Sequence, residues 1–160
     1  MTQSRGGIGV AVLVATCLGV GFSPLMPGTV TSLIVAVGLA LLGTPPSAGR
    51  SVGWLAVLLV IVPVGVWAAG RAERRYGHDA RCLVIDEAAG MLLTVFWVPW
   101  DGVHLSVAFV LFRAFDVLKP PPAYQLQALR GGAGVMADDV AAGLYAMAVL
   151  ALARALIPGF

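Results

Sequence analysis

The chain has 160 residues, enough for one domain, and 59% of them are hydrophobic while only 11% are charged. Soluble domains carry about 25% charged residues. This composition therefore excludes an ordinary water-soluble surface and predicts that lipid covers much of the protein. The net charge of +2 is too small to indicate a nucleic-acid partner, and the two cysteines, Cys17 and Cys82, form no CxxC metal motif.

Apolar stretches follow one another along nearly the whole chain. Four of them approach the roughly 17–25 residues that cross a bilayer as a helix, and they cover 52–70, 83–100, 103–118 and 140–157. Two shorter stretches, 8–22 and 30–42, flank a turn at 23–29 and are either tilted spans or a re-entrant hairpin. We therefore predict an all-α, polytopic helical membrane protein with roughly four to six apolar helices. These helices would form a single membrane-embedded domain over 1–160.

Lysine and arginine residues set the predicted orientation. The segment 71–81 contains four arginines, so the positive-inside rule places it in the cytoplasm. Helices that alternate in direction from this segment bring six acidic residues to the cytoplasmic face and leave Asp101 outside. The six are Asp79, Asp86, Glu87, Asp116, Asp138 and Asp139. The sequence thus predicts an acidic cluster at one membrane face.

The first acidic motif runs from His78 to Gly90. Asp79 and Asp86 are seven residues apart and would share a helix face if the helix extended back to Asp79. A charge within a membrane helix needs compensation, and a hard cation bound by oxygen ligands is one source of it. The alternative is a pair of interfacial acids that face water or pair with Arg81.

The second motif spaces Arg113, Asp116 and Lys119 three residues apart, which places them on one face of a helix. Such a stripe can bind a phosphate, because arginine grips phosphate bidentately and lysine acts as a point charge. The alternative is a salt-bridge set within the helix that neutralises itself.

Two glycine-containing segments complete the pattern. A glycine-rich loop at 131–134 leads toward a helix predicted to start near Asp138 and Asp139. Acids at a helix start also suit the helix dipole, so helix capping is the alternative to metal binding there. In the turn at 23–29, Thr29 and the next amides would form a phosphate cradle at a helix start, although turns of this composition are mostly structural.

Together these four motifs, in order and at compatible spacing from about residue 21 to 143, resemble the phosphatidylglycerophosphatase A family. The resemblance implies a Mg²⁺-dependent enzyme of the bacterial inner membrane, and the predicted orientation places its site at the cytoplasmic face. Its reaction would be hydrolysis of the terminal phosphate of phosphatidylglycerophosphate, a phospholipid substrate, to give phosphatidylglycerol. Thr31 stands where the resemblance leads us to expect a glycine before Ser32, which affects only the shape of that loop.

The motifs and the resemblance together give a hypothesis for the role of each residue. The expected Mg²⁺ ligands are Asp79, Asp86, Glu87, Asp138 and Asp139. Arg113 and Lys119 would neutralise the phosphate, and Thr29 would help to cradle it. Asp116 would orient or deprotonate the attacking water, with Asp86 as the second catalytic carboxylate, and a covalent aspartyl-phosphate stays open as a competing route.

A small membrane channel or transporter with an acidic cation site is the alternative function. Such a path should place acids at mid-membrane depth, because the ion must be stabilised where the bilayer is least polar. The predicted alternation of helix directions instead places the acids at one end of the helices. The sequence therefore favours the enzyme over the channel.

Overall fold

The computed structural model describes residues 5–43 and 48–158, and every regular element within them is helical. The helices are α1 (Arg5–Ala15), α2 (Pro27–Leu42), α3 (Ala48–Tyr76), α4 (Ile85–Thr94), α5 (Gly102–Leu118), α6 (Ala123–Leu126) and α7 (Gly132–Leu156), with a 3-10 turn at Val20–Phe22. The all-α prediction is confirmed. The single domain predicted over 1–160 includes residues 1–4, 44–47, 159 and 160, which lie outside the described residues.

The long helices run alternately between two ends of the molecule. At one end, Trp54 near the start of α3 donates a hydrogen bond to the carbonyl oxygen of Leu92 at 3.1 Å, and its ring lies 4.8 Å from that of Trp100. At the other end, Gly70 of α3 packs against Gly132 at the start of α7. We call this second end, where α3 and α5 finish and α4 and α7 begin, the acidic end.

Within residues 5–43 and 48–158, two helices are long and apolar enough to cross a membrane. They are Val52–Tyr76 within α3 and Gly132–Leu156, with mean hydropathies of 2.3 and 1.7 over their most apolar windows. Only 22% of the α3 window is buried, and side chains such as Leu59 and Val60 are exposed. A helix in the core of a soluble protein would bury most of such a surface, so this face suits lipid. The predicted count of four to six spans stays a prediction.

The apolar segment 83–100 forms a shorter helix than its sequence predicts. Helix α4 covers only Ile85–Thr94, a rise of about 15 Å. Pro99 disfavours helical backbone at Val98, and the β-branched and aromatic residues before it are weak helix formers. The chain therefore turns after Thr94 instead of continuing as a helix.

The loop before α4 also differs from its prediction. Gly77 and Asp79 have φ angles of 93° and 50°, so the chain at 77–84 is irregular and α4 begins only at Ile85. The condition for Asp79 and Asp86 to share one helix face, a helix that extends back to Asp79, is therefore not met. The two acids approach the same cavity from a loop and from a helix.

Helix α7 begins earlier than its prediction. It starts at Gly132, where a Cβ atom would overlap the carbonyl oxygen of Val66 and lie 2.6 Å from the amide nitrogen of Gly70. Glycine therefore lets the first turn of α7 pack directly against α3. Asp138 and Asp139 consequently lie well inside the helix, and the helix-capping alternative for them is wrong.

Helices α4 and α7 cross closely at a glycine pair. A Cβ atom on Gly143 would lie 2.6 Å from the carbonyl oxygen of Gly90, and the buried ring of Phe112 packs on the same spot. Asp86 and Asp139 each precede one of these glycines by four residues, about one helical turn. The crossing therefore brings the two acids together at the acidic end.

Candidate active site

A cavity of about 540 Å³ opens at the acidic end, between the start of α2, the loop at 77–84, the starts of α4 and α7, and the end of α5. All the site residues predicted from the sequence line it: Thr29, Asp79, Asp86, Glu87, Arg113, Asp116, Lys119, Asp138 and Asp139. Asp101 caps the opposite end of α5, where its side chain accepts hydrogen bonds from the first amides of the helix. The structure thus brings the predicted residues together from distant parts of the chain, while their individual roles stay predictions.

Three carboxylates meet at the bottom of this cavity. Asp86, Glu87 and Asp139 each place an oxygen within 4.8 Å of the other two. Asp86 and Asp139 are only 6% and 3% exposed, and Glu87 Oε2 and Asp139 Oδ2 are buried without a hydrogen-bond partner. Ionised carboxylates buried at this spacing repel one another, and a cation bound between them would relieve that repulsion. An all-oxygen donor set of this kind fits Mg²⁺ or another hard divalent cation.

The other two predicted ligands are held by neighbouring side chains. Lys119 Nζ donates a hydrogen bond to Asp138 Oδ2 at 2.6 Å, and Gln127 Nε2 donates one to Asp79 Oδ2 at 3.0 Å. Partial burial opposes the charge on Lys119, but the bond to Asp138 and the charges around it outweigh that effect and raise the pKa of Lys119. Lys119 therefore remains a cation at neutral pH.

The predicted stripe on α5 divides into two parts. Arg113 Nη1 lies 2.7 Å from Asp116 Oδ2, so this pair forms the ion pair within the helix that the spacing allows. Helix α5 ends at Leu118, and Lys119 takes a positive φ of 43° that directs the chain away from the helix. The expectation that Lys119 shares one helix face with Arg113 and Asp116 is therefore wrong, because its partner is Asp138 on α7.

The start of α2 faces the same cavity. The first bond within the helix runs from Val30 N to Met26 O, so the amides of Gly28 and Thr29 have no partner within α2. Thr29 Oγ1 is also buried without a hydrogen-bond partner. Free amides and a hydroxyl at a helix start are groups that can bind an anion, and the role of Thr29 in a phosphate cradle stays a prediction.

Arg81 is a cavity residue that the sequence analysis did not select as a site residue. It lines the cavity but is exposed, and within 5–43 and 48–158 it forms no ion pair or hydrogen bond. The alternative in which the acids of α4 pair with Arg81 is therefore wrong. Its position between Asp79 and Asp86 is the sequence signal that could have identified it.

Gly28 allows the start of α2 to approach the carboxylate trio, and its replacement gives the first prediction. A Cβ atom there would overlap the carboxylate of Glu87, whose flexible side chain can move aside. We therefore expect Gly28→Ala to retain the fold. It should lower kcat for the phosphate hydrolysis expected from the sequence by about 10- to 100-fold, because displacements of about 1 Å at a site have such effects. The matched control is Gly38→Ala on the same helix, where a Cβ meets nothing within 4 Å. Equal kcat in both variants, with equal unfolding temperatures, would contradict this role of Gly28.

Within the described residues, the fold and the cavity define an all-helical protein with two helices apolar enough to cross a membrane and a buried carboxylate cluster that could hold a metal ion. The chain belongs to the phosphatidylglycerophosphatase A family, whose model matches residues 13–154, and it is a phosphatase. The family resemblance is thereby confirmed, and the channel or transporter alternative is set aside.

Individual relatives are similar over most of the chain. A protein of Bacteroides thetaiotaomicron that carries the provisional name phosphatidylinositol-3-phosphatase is 36% identical over 148 residues, which cover 89% of this chain and 92% of the relative. Phosphatidylglycerophosphatase A of Escherichia coli is 32% identical over 144 residues, covering 86% and 80%. Phosphatidylglycerophosphatase A of Haemophilus influenzae is 40% identical over 77 residues, or 46% of each chain. No solved structure matches the chain.

Proposed function

We propose that the protein hydrolyses the terminal phosphate of phosphatidylglycerophosphate, with Mg²⁺, to give phosphatidylglycerol and inorganic phosphate. The observation that carries this proposal is the buried trio of carboxylates beside anion-binding groups in one cavity. Membership of the family and the similarity to the Escherichia coli and Haemophilus influenzae enzymes support this substrate.

The charge of the cavity supports a metal cofactor. Among the described residues, its lining has twice as many carboxylates as cationic side chains. A phosphate monoester carries a charge of about −1.5 to −2 at neutral pH, so this lining alone would repel it. Asp86, Glu87 and Asp139 would hold Mg²⁺, with Asp79 and Asp138 as further candidates. When bound, Mg²⁺ supplies positive charge and Lewis acidity to the phosphoryl group.

The chain's own residues provide the remaining parts of the reaction. Arg113, Lys119 and the start of α2 at Thr29 would bind the phosphate oxygens and stabilise the charge of the transition state. Asp116, held in place by Arg113, would orient or deprotonate a water molecule. The water oxygen bonds to phosphorus, the ester P–O bond breaks, and the glycerol oxygen leaves with a proton. Attack by a carboxylate such as Asp86, giving an aspartyl-phosphate, is the competing route, and hydroxylamine trapping would distinguish the two.

The distribution of basic residues supports a cytoplasmic active site in a multi-pass inner-membrane protein. The acidic end carries the residues Arg71, Arg74, Arg75, Arg81, Arg113, Lys119 and Arg130. Only Arg5, Arg50 and Arg154 belong to helix segments near the opposite end. The positive-inside rule therefore favours placing the acidic end in the cytoplasm. The whole chain would form a single membrane-embedded domain.

Phosphatidylinositol 3-phosphate is the second candidate substrate. The relative from Bacteroides thetaiotaomicron carries a provisional name that assigns this activity. Its alignment with this chain covers 89% of this chain and 92% of the relative. Both lipids contain a phosphodiester next to the glycerol backbone and a phosphate monoester further out. The cavity chemistry described above would accept either monoester.

The substrate is tested by phosphate release from the purified protein in mixed micelles with Mg²⁺. We expect kcat/KM for phosphatidylglycerophosphate to exceed that for phosphatidylinositol 3-phosphate by at least about tenfold, a difference of about 1.4 kcal/mol in transition-state binding. A higher kcat/KM for phosphatidylinositol 3-phosphate would identify that lipid as the preferred substrate instead. Absence of phosphate release from both lipids would contradict the proposed function.

A further inference from the structure

Arg81 differs from the other cations that line the cavity. Arg113 is paired with Asp116 at 2.7 Å and Lys119 with Asp138 at 2.6 Å. Within the described parts of the chain, Arg81 has neither an ion pair nor a hydrogen bond, although its neighbourhood is rich in carboxylates. The five donors of its guanidinium group are therefore available to an anion that enters the cavity.

Arg81 lines the same cavity as the buried carboxylates and as apolar side chains of a neighbouring turn. Gly21 packs so closely on the carbonyl oxygen of Cys82 that the turn containing it lies against the loop of Arg81. Apolar side chains on this turn are strongly exposed: Leu18 by 84%, Phe22 by 55%, Leu25 by 76% and Met26 by 68%. The lining of one cavity thus combines buried acids, the exposed Arg81 and the exposed apolar side chains Phe22 and Met26, a surface that suits acyl chains.

We propose that Arg81 binds the phosphodiester of the lipid substrate and thereby selects lipids that contain both a phosphodiester and a distal phosphate monoester. This inference rests on the proposed function. With the monoester at the trio and the acyl chains on the apolar side chains of the turn, the phosphodiester would lie between them, in the cavity that Arg81 lines. The planar guanidinium can donate two parallel hydrogen bonds to phosphate oxygens. Phosphatidic acid has no phosphodiester and would gain nothing from Arg81.

The experiment compares wild type, Arg81→Gln, Arg81→Lys and Arg74→Gln in mixed micelles with Mg²⁺. Arg74 is an exposed arginine at the same end of the molecule that does not line the cavity, so it controls for general surface charge. Steady-state kinetics on phosphatidylglycerophosphate give KM and kcat. Inhibition constants are measured for phosphatidylglycerol, which keeps only the phosphodiester, and for inorganic phosphate, which lacks it.

We expect Arg81→Gln to raise KM for phosphatidylglycerophosphate and the inhibition constant of phosphatidylglycerol by about tenfold each, the usual size of one charge-assisted contact. The change in kcat and in inhibition by inorganic phosphate should stay below about twofold, Arg81→Lys should recover part of the loss, and Arg74→Gln should match the wild type. An active wild type with the same KM and inhibition constants in Arg81→Gln would overturn the inference alone. An inactive wild type would overturn the proposed function together with it.

Discussion

Replacing Asp139 by asparagine is expected to lower kcat for phosphatidylglycerophosphate by about 10²- to 10³-fold, the scale seen when one stabilising group is removed from a transition-state site. Asp139 lies in the trio with Asp86 and Glu87, is 3% exposed, and has one carboxylate oxygen without a hydrogen-bond partner. An amide there keeps the shape but removes the charge that would hold the cation. The corresponding changes Asp86→Asn and Glu87→Gln are expected to act in the same direction.

A stability measurement separates a metal role from a purely structural one. Without metal, removal of one of three crowded negative charges relieves repulsion, so Asp139→Asn should unfold at the same temperature as the wild type or a higher one in EDTA. Added Mg²⁺ should raise the unfolding temperature of the wild type by mass action and leave that of Asp139→Asn unchanged. Asp101→Asn, the same exchange at the opposite end of α5, is the matched control for activity and metal response. Equal stabilisation of all three proteins by Mg²⁺ would contradict the trio as the metal site.

Replacing Gly143 by alanine is expected to have the second largest effect, through the crossing of α4 and α7. The new Cβ would lie 2.6 Å from the carbonyl oxygen of Gly90 and 3.2 Å from its Cα. These are backbone atoms, so the two helices must separate, at a cost of about 1–3 kcal/mol in the free energy of unfolding. Separation also moves Asp86 away from Asp139, and we expect kcat to fall by about 100-fold.

The control for this prediction is again Gly38→Ala, which adds the same methyl group to a helix where nothing lies within 4 Å of it. Activity is normalised to the folded fraction, measured by the unfolding transition in the same detergent. If Gly143→Ala retained wild-type kcat per folded molecule and wild-type stability, the close crossing would not position the two acids.

The sequence predicted which residues belong to the site better than it predicted which residues contact one another within it. Charged residues are costly in apolar helices, so each acid and base within such a segment indicates a compensating contact, and all the selected residues line one cavity. Which acids share a cation depends on distances between helices. Asp138 and Asp139 are adjacent in sequence, yet successive side chains point in different directions around a helix, so one contacts Lys119 and the other joins the trio.

Helix boundaries were predictable only where a local signal exists. The start of α2 follows from a proline at its first position, which suits a helix start. The start of α7 at Gly132 does not follow from propensity, because glycine there serves close packing on α3, which is a tertiary contact. The irregular loop at 77–84 has positive φ angles at Gly77 and Asp79. Glycine and aspartate both tolerate such angles, but neither residue fixes where the next helix begins.

The central claim is that a divalent cation bound by buried carboxylates enables phosphate release from a phospholipid, and metal removal tests it most directly. Purified protein in mixed micelles is assayed for release of phosphate from phosphatidylglycerophosphate, first with Mg²⁺, then with excess EDTA, and finally with Mg²⁺ restored. We predict a loss of activity of at least about 100-fold in EDTA and its recovery on restoring Mg²⁺. Undiminished phosphate release in EDTA would contradict the account.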